Sequence, residues 1–582
     1  RFRLALGFPD LYELGMSYLG MQILYSVVNL PDSHPFSQAY LSDGPFLCER
    51  FFLPDEDGRE SIASSDQPLT SLESGHPLNA FDAVGISFTH ERSYLNLPSI
   101  INLAGIPVMQ ADRPDDGPLV IGGGACMLNP EPIADMLDAV AVGDGEELIL
   151  EVASSLSKLR GAPRLERLKA LSQISGIYIP SFYEARYSQG RFDSLSVKKE
   201  FSQLGLPERI TRRILRDFAL WGPPTKLIIP WVDTPGNWAN VEIMRGCPRR
   251  CRFCHAGHVY LPARYRSAQD IISACLKLCD STGADQVSLQ GLSVLDHPQI
   301  LEILEKLRPE LDKRMISLSV PSLRMDAVSR QVASLMRRPK ESSLTFAPEA
   351  GSAEMRAAIN KQIADGDISE TIASACEAGW HKFKLYFMCG FPNETDADIE
   401  AIAILTREIK RIARISAPHP PHINVSINTL VPKPHTPMQW APLVAESELR
   451  RKHDYLRSEF AKMGHSVNLS YTGYQEAFIE TLLSRGDRRL CQVISHAGKI
   501  GLFDSEGKTA DFTALLSECK AEGIDAHNEV HREREEDTAL PWDHISTGVS
   551  QNYLREEWRL CFTREPSPSC HEACAGCGLS CS

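Results

Sequence analysis

Between residues 241 and 430, short apolar runs alternate with amphipathic ones six times, and nothing else in the chain restricts its fold as much. Strands are predicted at 241–244, 286–290, 315–320, 343–347, 382–388 and 423–430. Helices at 267–279, 299–307, 327–336, 352–361 with 369–378, and 397–412 follow the first five strands. Such alternation joins parallel strands through crossover helices. Six units suit a partial (β/α)6 barrel of the TIM type, whose working residues sit at the carboxyl ends of its strands.

One strand end carries Cys247-Pro248-Arg249-Arg250-Cys251-Arg252-Phe253-Cys254, directly after Arg245-Gly246. A Cys-x-x-x-Cys-x-x-Cys loop can hold three irons of a four-iron cluster by thiolate, leaving one iron without a protein ligand. Electron-transfer clusters ordinarily use four cysteines. A free coordination position admits a substrate, so the trio implies chemistry at the metal. Zinc held by the three cysteines with His255 or His258 is the alternative with acceptable ligand types. Disulfides are not expected, because most of the other cysteines (Cys275, Cys279, Cys376 and Cys389 among them) stand singly in apolar segments, as in a reducing compartment.

With Phe253 just before its last cysteine, this loop resembles the signature of radical S-adenosylmethionine (SAM) enzymes. The resemblance implies a 4Fe-4S cluster on Cys247, Cys251 and Cys254, with the amino and carboxylate groups of SAM on the fourth iron. It implies Phe253 near the adenine, and one-electron cleavage of SAM to methionine and a 5'-deoxyadenosyl radical. The protein then places that radical against the substrate and excludes water. Other strand ends carry residues suited to SAM. The segment from Ser319 to Arg324 ends the third strand, and Glu349 follows the fourth, with Arg356 downstream. Glu349 is expected on ribose hydroxyls and Arg324 or Arg356 on a carboxylate. Gly390, within Met388-Cys389-Gly390-Phe391-Pro392-Asn393-Glu394, resembles the glycine turn that lies against the adenine. Pro432-Lys433-Pro434-His435-Thr436-Pro437 resembles a segment of one subgroup of the family. Where the family often has Gly-Gly-Glu after the second strand, this chain has Ser288-Leu289-Gln290-Gly291. Ser288, Gln290 or backbone carbonyls are therefore expected on the SAM amino group.

Residues 1–160 alternate in the same way, with strands predicted at 3–8, 83–88, 118–122 and 138–142 and helices at 20–28, 97–104 and 147–159. This reads as a doubly wound Rossmann-like sheet, which binds ligands outside its strand ends. Gly122-Gly123-Gly124 permits close backbone approach, to a ligand or within a tight turn. An open sheet ahead of such a barrel resembles the cobalamin-binding class of the family, which marks its first loop Asp-x-His-x-x-Gly. Here the loop is Asp10-Leu11-Tyr12-Glu13-Leu14-Gly15, with tyrosine in the histidine's place, and a neutral phenol is a poor cobalt ligand. The resemblance implies cobalamin either without a protein lower ligand or lost. With cobalamin, methyl transfer to an unactivated carbon is the expected outcome; without it, another radical modification.

Residues 161–235 read as a connector with an edge strand at 226–231, broken by prolines. The barrel core is expected over 236–440 and a mainly helical region over 441–582. Leu483-Ser484-Arg485-Gly486-Asp487-Arg488-Arg489 and Pro541-Trp542-Asp543-His544-Ile545 resemble a little-characterised radical SAM subfamily whose first domain is cobalamin-binding-like. The tail gathers Cys570, Cys574, Cys577 and Cys581 within twelve residues, suited to an auxiliary iron–sulfur cluster or a structural zinc.

The chain has 61 Lys and Arg against 75 Asp and Glu, a net charge of −14, which opposes broad binding to nucleic acid. Arg245, Arg249, Arg250, Arg252, Arg264 and Arg266 form a local basic set that would suit an acidic electron donor such as flavodoxin or ferredoxin, a SAM carboxylate, or RNA. RNA, protein and small molecules all remain open as substrates. No secretory signal or apolar run of membrane-spanning length is present, so a soluble cytoplasmic protein without a membrane partner is expected. The chain starts at Arg1 on the edge of a strand, as a cropped N-terminus would. A non-catalytic scaffold with zinc at both cysteine sites is the competing reading.

Overall fold

The computed structural model describes residues 2–29, 40, 46–65, 67–215, 217–235, 239–321, 323–326, 330–336, 343–417, 419–496, 501 and 510–579. The chain divides into two compact units. One comprises residues 1–238, 479–530 and 537–548, and the other 239–478, 531–536 and 549–582.

The first unit is built on a six-stranded sheet. Its spatial order is Phe46–Phe52, Phe2–Phe8, Ala83–Ser87, Leu119–Gly123, Ala139–Ala141, Ile177–Tyr178, all parallel except the last. Strand Phe46–Phe52 escapes the sequence pattern because Glu49 and Arg50 interrupt its apolar run. Both are buried and paired: Glu49 accepts from Ser71 Oγ at 2.6 Å, and Arg50 bonds Glu73 at 2.7 Å. The expected strand at 226–231 does not form; Pro230 offers no N–H to a ladder. Strands Tyr183–Ser188 and Arg191–Val197 instead make an antiparallel hairpin within the segment read as a connector.

The two late motifs fold back onto this unit. Asn129 Nδ2 donates to Ser484 O at 2.9 Å and Gly486 O at 3.0 Å. Buried Glu131 accepts from Arg488 Nε at 2.9 Å and Tyr178 Oη at 2.9 Å, while His544 Nε2 lies 3.4 Å from its carboxylate. Burial holds the His544 imidazole down to about 4, so it is neutral at pH 7.

The second unit is the barrel. Strands Asn240–Glu242, Gln286–Gln290 and Ser317–Ser319 run parallel in one sheet, and Leu344–Glu349, Lys382–Cys389, His422–Thr429 and Val467–Tyr471 in another. A parallel bridge, Leu323 to Phe346, joins the two arcs. The six expected strands all form, and Val467–Tyr471 adds a seventh from the region read as mainly helical. Helices Ala268–Thr282, Ile300–Lys313, Asp365–Glu377 and Asp396–Ser416 lie between the strands. Ser267 and Thr395 cap two of them with their hydroxyls. Of the expected helix at 327–336, Arg330–Leu335 is helical and 327–329 lie outside the described residues. No described helix is long and apolar enough to cross a membrane.

Candidate active site

The cysteine loop leaves a two-stranded ribbon, Met244–Arg245 against Arg264–Tyr265. Gly246 makes the turn possible: its φ is +87°, and a Cβ there would lie 2.6 Å from Tyr260 O. Cys251 is buried, with Cys247 and Cys254 partly so. Cys254 Sγ accepts the Gly257 N–H at 3.3 Å and caps the short helix His255–Val259. Burial pushes the Cys247 thiol up to about 12 and Cys254 to about 11, with Cys251 adding to both. Bare thiols there stay protonated, and a bound cation is what makes them thiolates. His258 Nδ1 is engaged by Cys254 O at 2.8 Å.

Among the described residues no three or more His, Cys, Asp or Glu side chains stand in single-ion geometry. A four-iron cluster puts each thiolate on a different iron, so its ligands stand farther apart than those of one zinc, whose sulfurs lie about 2.3 Å from the metal.

Around the loop the strand ends form one charged network. Arg249 Nε bonds Asp296 at 2.8 Å, its Nη1 lies 3.3 Å from Asp326, and Asp326 holds Arg324 by two bonds of 3.0 Å. Arg324 lies within electrostatic reach of Cys251. Glu349, at the end of its strand with φ +68°, sits 3.5 Å from Lys361 Nζ, and both act on Cys254. Burial pushes the Glu349 carboxyl up, with Lys361 opposing. Phe253 packs 6.0 Å from Phe391, beside Gly390. The Gly390 N–H donates to Glu394 at 2.9 Å, and Lys452 bonds the same oxygen at 2.7 Å. Gln290 Nε2 donates to Asn240 Oδ1 at 2.9 Å and Ser288 Oγ at 3.3 Å, while Ser319 is half-buried at its strand end.

Two expectations change. Arg356 is taken up inside the chain: it donates to Ile363 O at 2.9 Å and Gly351 O at 2.7 Å and pairs with Asp365. It fixes the turn after Glu349 rather than standing ready for a ligand; among the described residues Arg324 and Lys361 are cations of this face, beside Arg249. Nor is the basic set a docking surface. Arg250, Arg252, Arg264 and Arg266 are buried. Arg252 bonds Glu557 at 2.8 Å, and Arg245 bonds Glu242 twice at 2.9 Å. Lys361 stood in the sequence as part of Asn360-Lys361, but its pairing across twelve residues had no local signal. Lys452 and Glu557 had none at all.

The strand ends of the first unit are closed by their own chain. Asp10 is buried and accepts the Leu11 N–H at 2.7 Å. Tyr12 Oη accepts the Trp231 N–H at 3.0 Å, and its ring meets Phe52 edge-on at 5.2 Å. A Cβ on Gly15 would lie 2.3 Å from the Phe52 ring, and one on Gly122 2.8 Å from Leu137 and 2.9 Å from Met127. Gly123 is nearly open, but at Gly124, with φ +102°, a Cβ would lie 2.3 Å from Phe88 O. In the tail, Cys570, Cys574 and Cys577 belong to the barrel unit, and Cys581 lies outside the described residues.

An uncharacterized protein of Methanocaldococcus jannaschii is 29% identical over 431 residues, covering 73% of this chain and 82% of its own. The cobalamin-dependent S-adenosylmethionine radical enzyme OxsB, solved with aqua-cobalamin and S-adenosylmethionine bound, aligns over 97% of this chain and 79% of that one, at 10% identity and TM-score 0.44. Coproporphyrinogen III oxidase (HemN) from Escherichia coli aligns over 39% and 52%, at 16% identity and TM-score 0.28. Likenesses this loose say nothing of what this chain binds. Residues 20–180 match the family model described as radical SAM proteins, N-terminal, and residues 241–406, spanning the cysteine loop and five of the barrel strands, match the radical SAM superfamily: the chain belongs to that superfamily.

Proposed function

We propose that this protein is an enzyme that cleaves SAM reductively at a 4Fe-4S cluster on Cys247, Cys251 and Cys254, to modify a substrate by radical chemistry. The observation that carries the reading is the convergence of the cysteine loop with Arg324, Glu349 and Lys361 at successive strand ends. When bound, the cluster and SAM supply a 5'-deoxyadenosyl radical through one-electron cleavage of a C–S bond. The chain's own residues bind and orient. Glu349 accepts from ribose hydroxyls, and Lys361 or Arg324 pairs with the SAM carboxylate. Phe253 and Phe391 flank the adenine beside Gly390. Gln290, its amide nitrogen held by Asn240 and Ser288, turns its oxygen to the SAM ammonium. A one-electron donor of the flavodoxin or ferredoxin class is required.

Cobalamin does not fit the first unit on this reading. The residue in the lower-ligand place is a phenol already bonded to Trp231, and Gly15 and Gly122 are filled by Phe52, Leu137 and Met127. The outcome we favour is therefore a radical modification that does not run through methylcobalamin.

Anaerobic purification tests both statements. Brown protein with iron and sulfide that converts SAM and dithionite to 5'-deoxyadenosine, and yields no corrinoid on extraction, is expected. A colourless zinc protein without that product overturns the enzyme reading in favour of a scaffold. Stoichiometric corrinoid overturns the second statement alone.

A further inference from the structure

A TIM-type barrel ordinarily fills its interior with branched apolar side chains. The sheet of strands Leu344–Glu349, Lys382–Cys389, His422–Thr429 and Val467–Tyr471 does not. Successive side chains of a strand point to opposite faces. On one face Phe383, Leu385, Phe387, Ile423, Val425 and Ile427 are buried, as the side under crossover helices must be. On the other, Lys384, Tyr386, Ser426 and Asn428 are half-buried, and Asn424, Asn468 and Ser470 are exposed. Strand register sets these side chains in layers. Thr345, Lys384, Asn424 and Asn468 stand side by side across the four strands, with Tyr386, Ser426 and Ser470 one layer nearer the carboxyl ends. Neither layer contains a carboxylate. Asn424 and Asn428 lie on an inner strand of the sheet, so their access is not that of an edge.

The hydrogen bonds of this face leave donors over. Thr472 Oγ1 donates to Asn428 Oδ1 at 3.0 Å, and Asn468 Nδ2 to Asn424 Oδ1 at 3.0 Å. Each of these two asparagines has its oxygen engaged and its Nδ2 without an acceptor among the described residues. The Lys384 ammonium lies 4.9 Å over the Tyr386 ring and has no ion-pair partner among the described residues. From Asn428 to Asn424, beside Lys384, the strand descends about 13 Å. A column of open donors thus runs from the strand ends into the barrel and finishes on a cation. Polar groups in such a place are costly unless something bonds them, and what these ask for is an acceptor.

We propose that this column binds the part of the substrate remote from the radical: an extended, acceptor-rich chain whose carboxylate or phosphate pairs with Lys384. The proposal rests on the SAM reading only for where the reacting carbon lies, at the strand ends. Carboxylate and phosphate share the charge that an ammonium recognises, and a lysine, unlike an arginine, imposes no bidentate geometry to choose between them.

The test takes the full chain, purified anaerobically, and measures binding of tetraglutamate, tripolyphosphate and the uncharged tetraglutamine by calorimetry. At least one polyanion is expected to bind about tenfold or more tighter than tetraglutamine, to weaken about tenfold in Lys384→Met, and to recover most of that in Lys384→Arg. Tetraglutamate alone identifies a carboxylate, tripolyphosphate alone a phosphate, and both a site that reads charge. Polyanions no better than tetraglutamine, or an affinity unmoved by Lys384→Met, overturn the column. Should Lys384→Met fail to fold, acylation of the native chain followed by mass spectrometry decides: Lys384 must react, and a bound polyanion must protect it. A chain that makes 5'-deoxyadenosine from SAM but binds neither polyanion overturns the column alone. One that binds a polyanion at Lys384 and makes no 5'-deoxyadenosine overturns the SAM reading alone.

Discussion

The two parallel sheets of this protein finish their strands in opposite ways. In the barrel unit the carboxyl ends gather buried charge: Arg324 beside Cys251, and Glu349 with Lys361 beside Cys254. In the open-sheet unit the same positions are closed by hydrocarbon, with Gly15 under Phe52 and Gly122 under Leu137 and Met127. Glycines at strand ends are common to both, since Gly246 and Gly390 stand beside the cysteine loop and the charged strand ends. What differs is what faces them. A strand-end glycine says only that something approaches closely, and here that is backbone or side chain of the same chain in one unit. Buried charges gathered near thiols are the more telling mark, because desolvating them is costly unless a partner or a ligand repays it.

The sharpest way to break the contrast is Cys251→Ala, expected to lower 5'-deoxyadenosine formation by more than about 1,000-fold, with iron content measured in parallel. Unchanged turnover would remove the barrel's claim to the chemistry. Lys361→Met removes one charge-assisted contact and is expected to lower kcat/KM for SAM about 10–100-fold, chiefly through KM. An unaltered KM would return Lys361 to a purely structural pairing with Glu349.

In the open-sheet unit the expected effects fall on stability. His544 is held down to about 4 by burial, while in the unfolded chain it titrates near its ordinary value. The unfolded state therefore binds the extra proton between those values. Stability is full above pH of about 6.5 and falls as pH drops toward about 4, by about 2 kcal/mol between pH 7.5 and 5. Urea melts at the two pH values measure it, and His544→Asn should flatten the dependence. Gly122→Ala is expected to cost least, about 1 kcal/mol, because the atoms it meets, Leu137 Cδ1 and Met127 Sδ, are ends of side chains that can shift. SAM cleavage per folded molecule should not change; if it falls, the open-sheet strand ends take part in the chemistry after all.

Where pattern is local, the sequence was enough. Each of the six expected barrel strands forms because its alternation of apolar strand and amphipathic helix is repeated over short stretches. The seventh, Val467–Tyr471, is edge-like, with mostly polar or exposed residues after Val467, and its apolar signal is too weak to separate from the helices around it. Strand Phe46–Phe52 was hidden by Glu49 and Arg50, whose burial depends on Ser71 and Glu73, more than twenty residues away in sequence.

At the candidate site the chemistry of the thiols was written in their spacing, since three cysteines within eight residues must share one loop whatever the fold. The fate of the arginines was not. Arg356 and Arg252 look from sequence like free cations and prove to be internal fasteners, because the carbonyls of Ile363 and Gly351 and the carboxylate of Glu557 arrive only with folding. Covalent neighbours fix which atoms a loop can offer; a charge is settled by whichever opposite partner packing brings within reach, and that distance exists only in three dimensions.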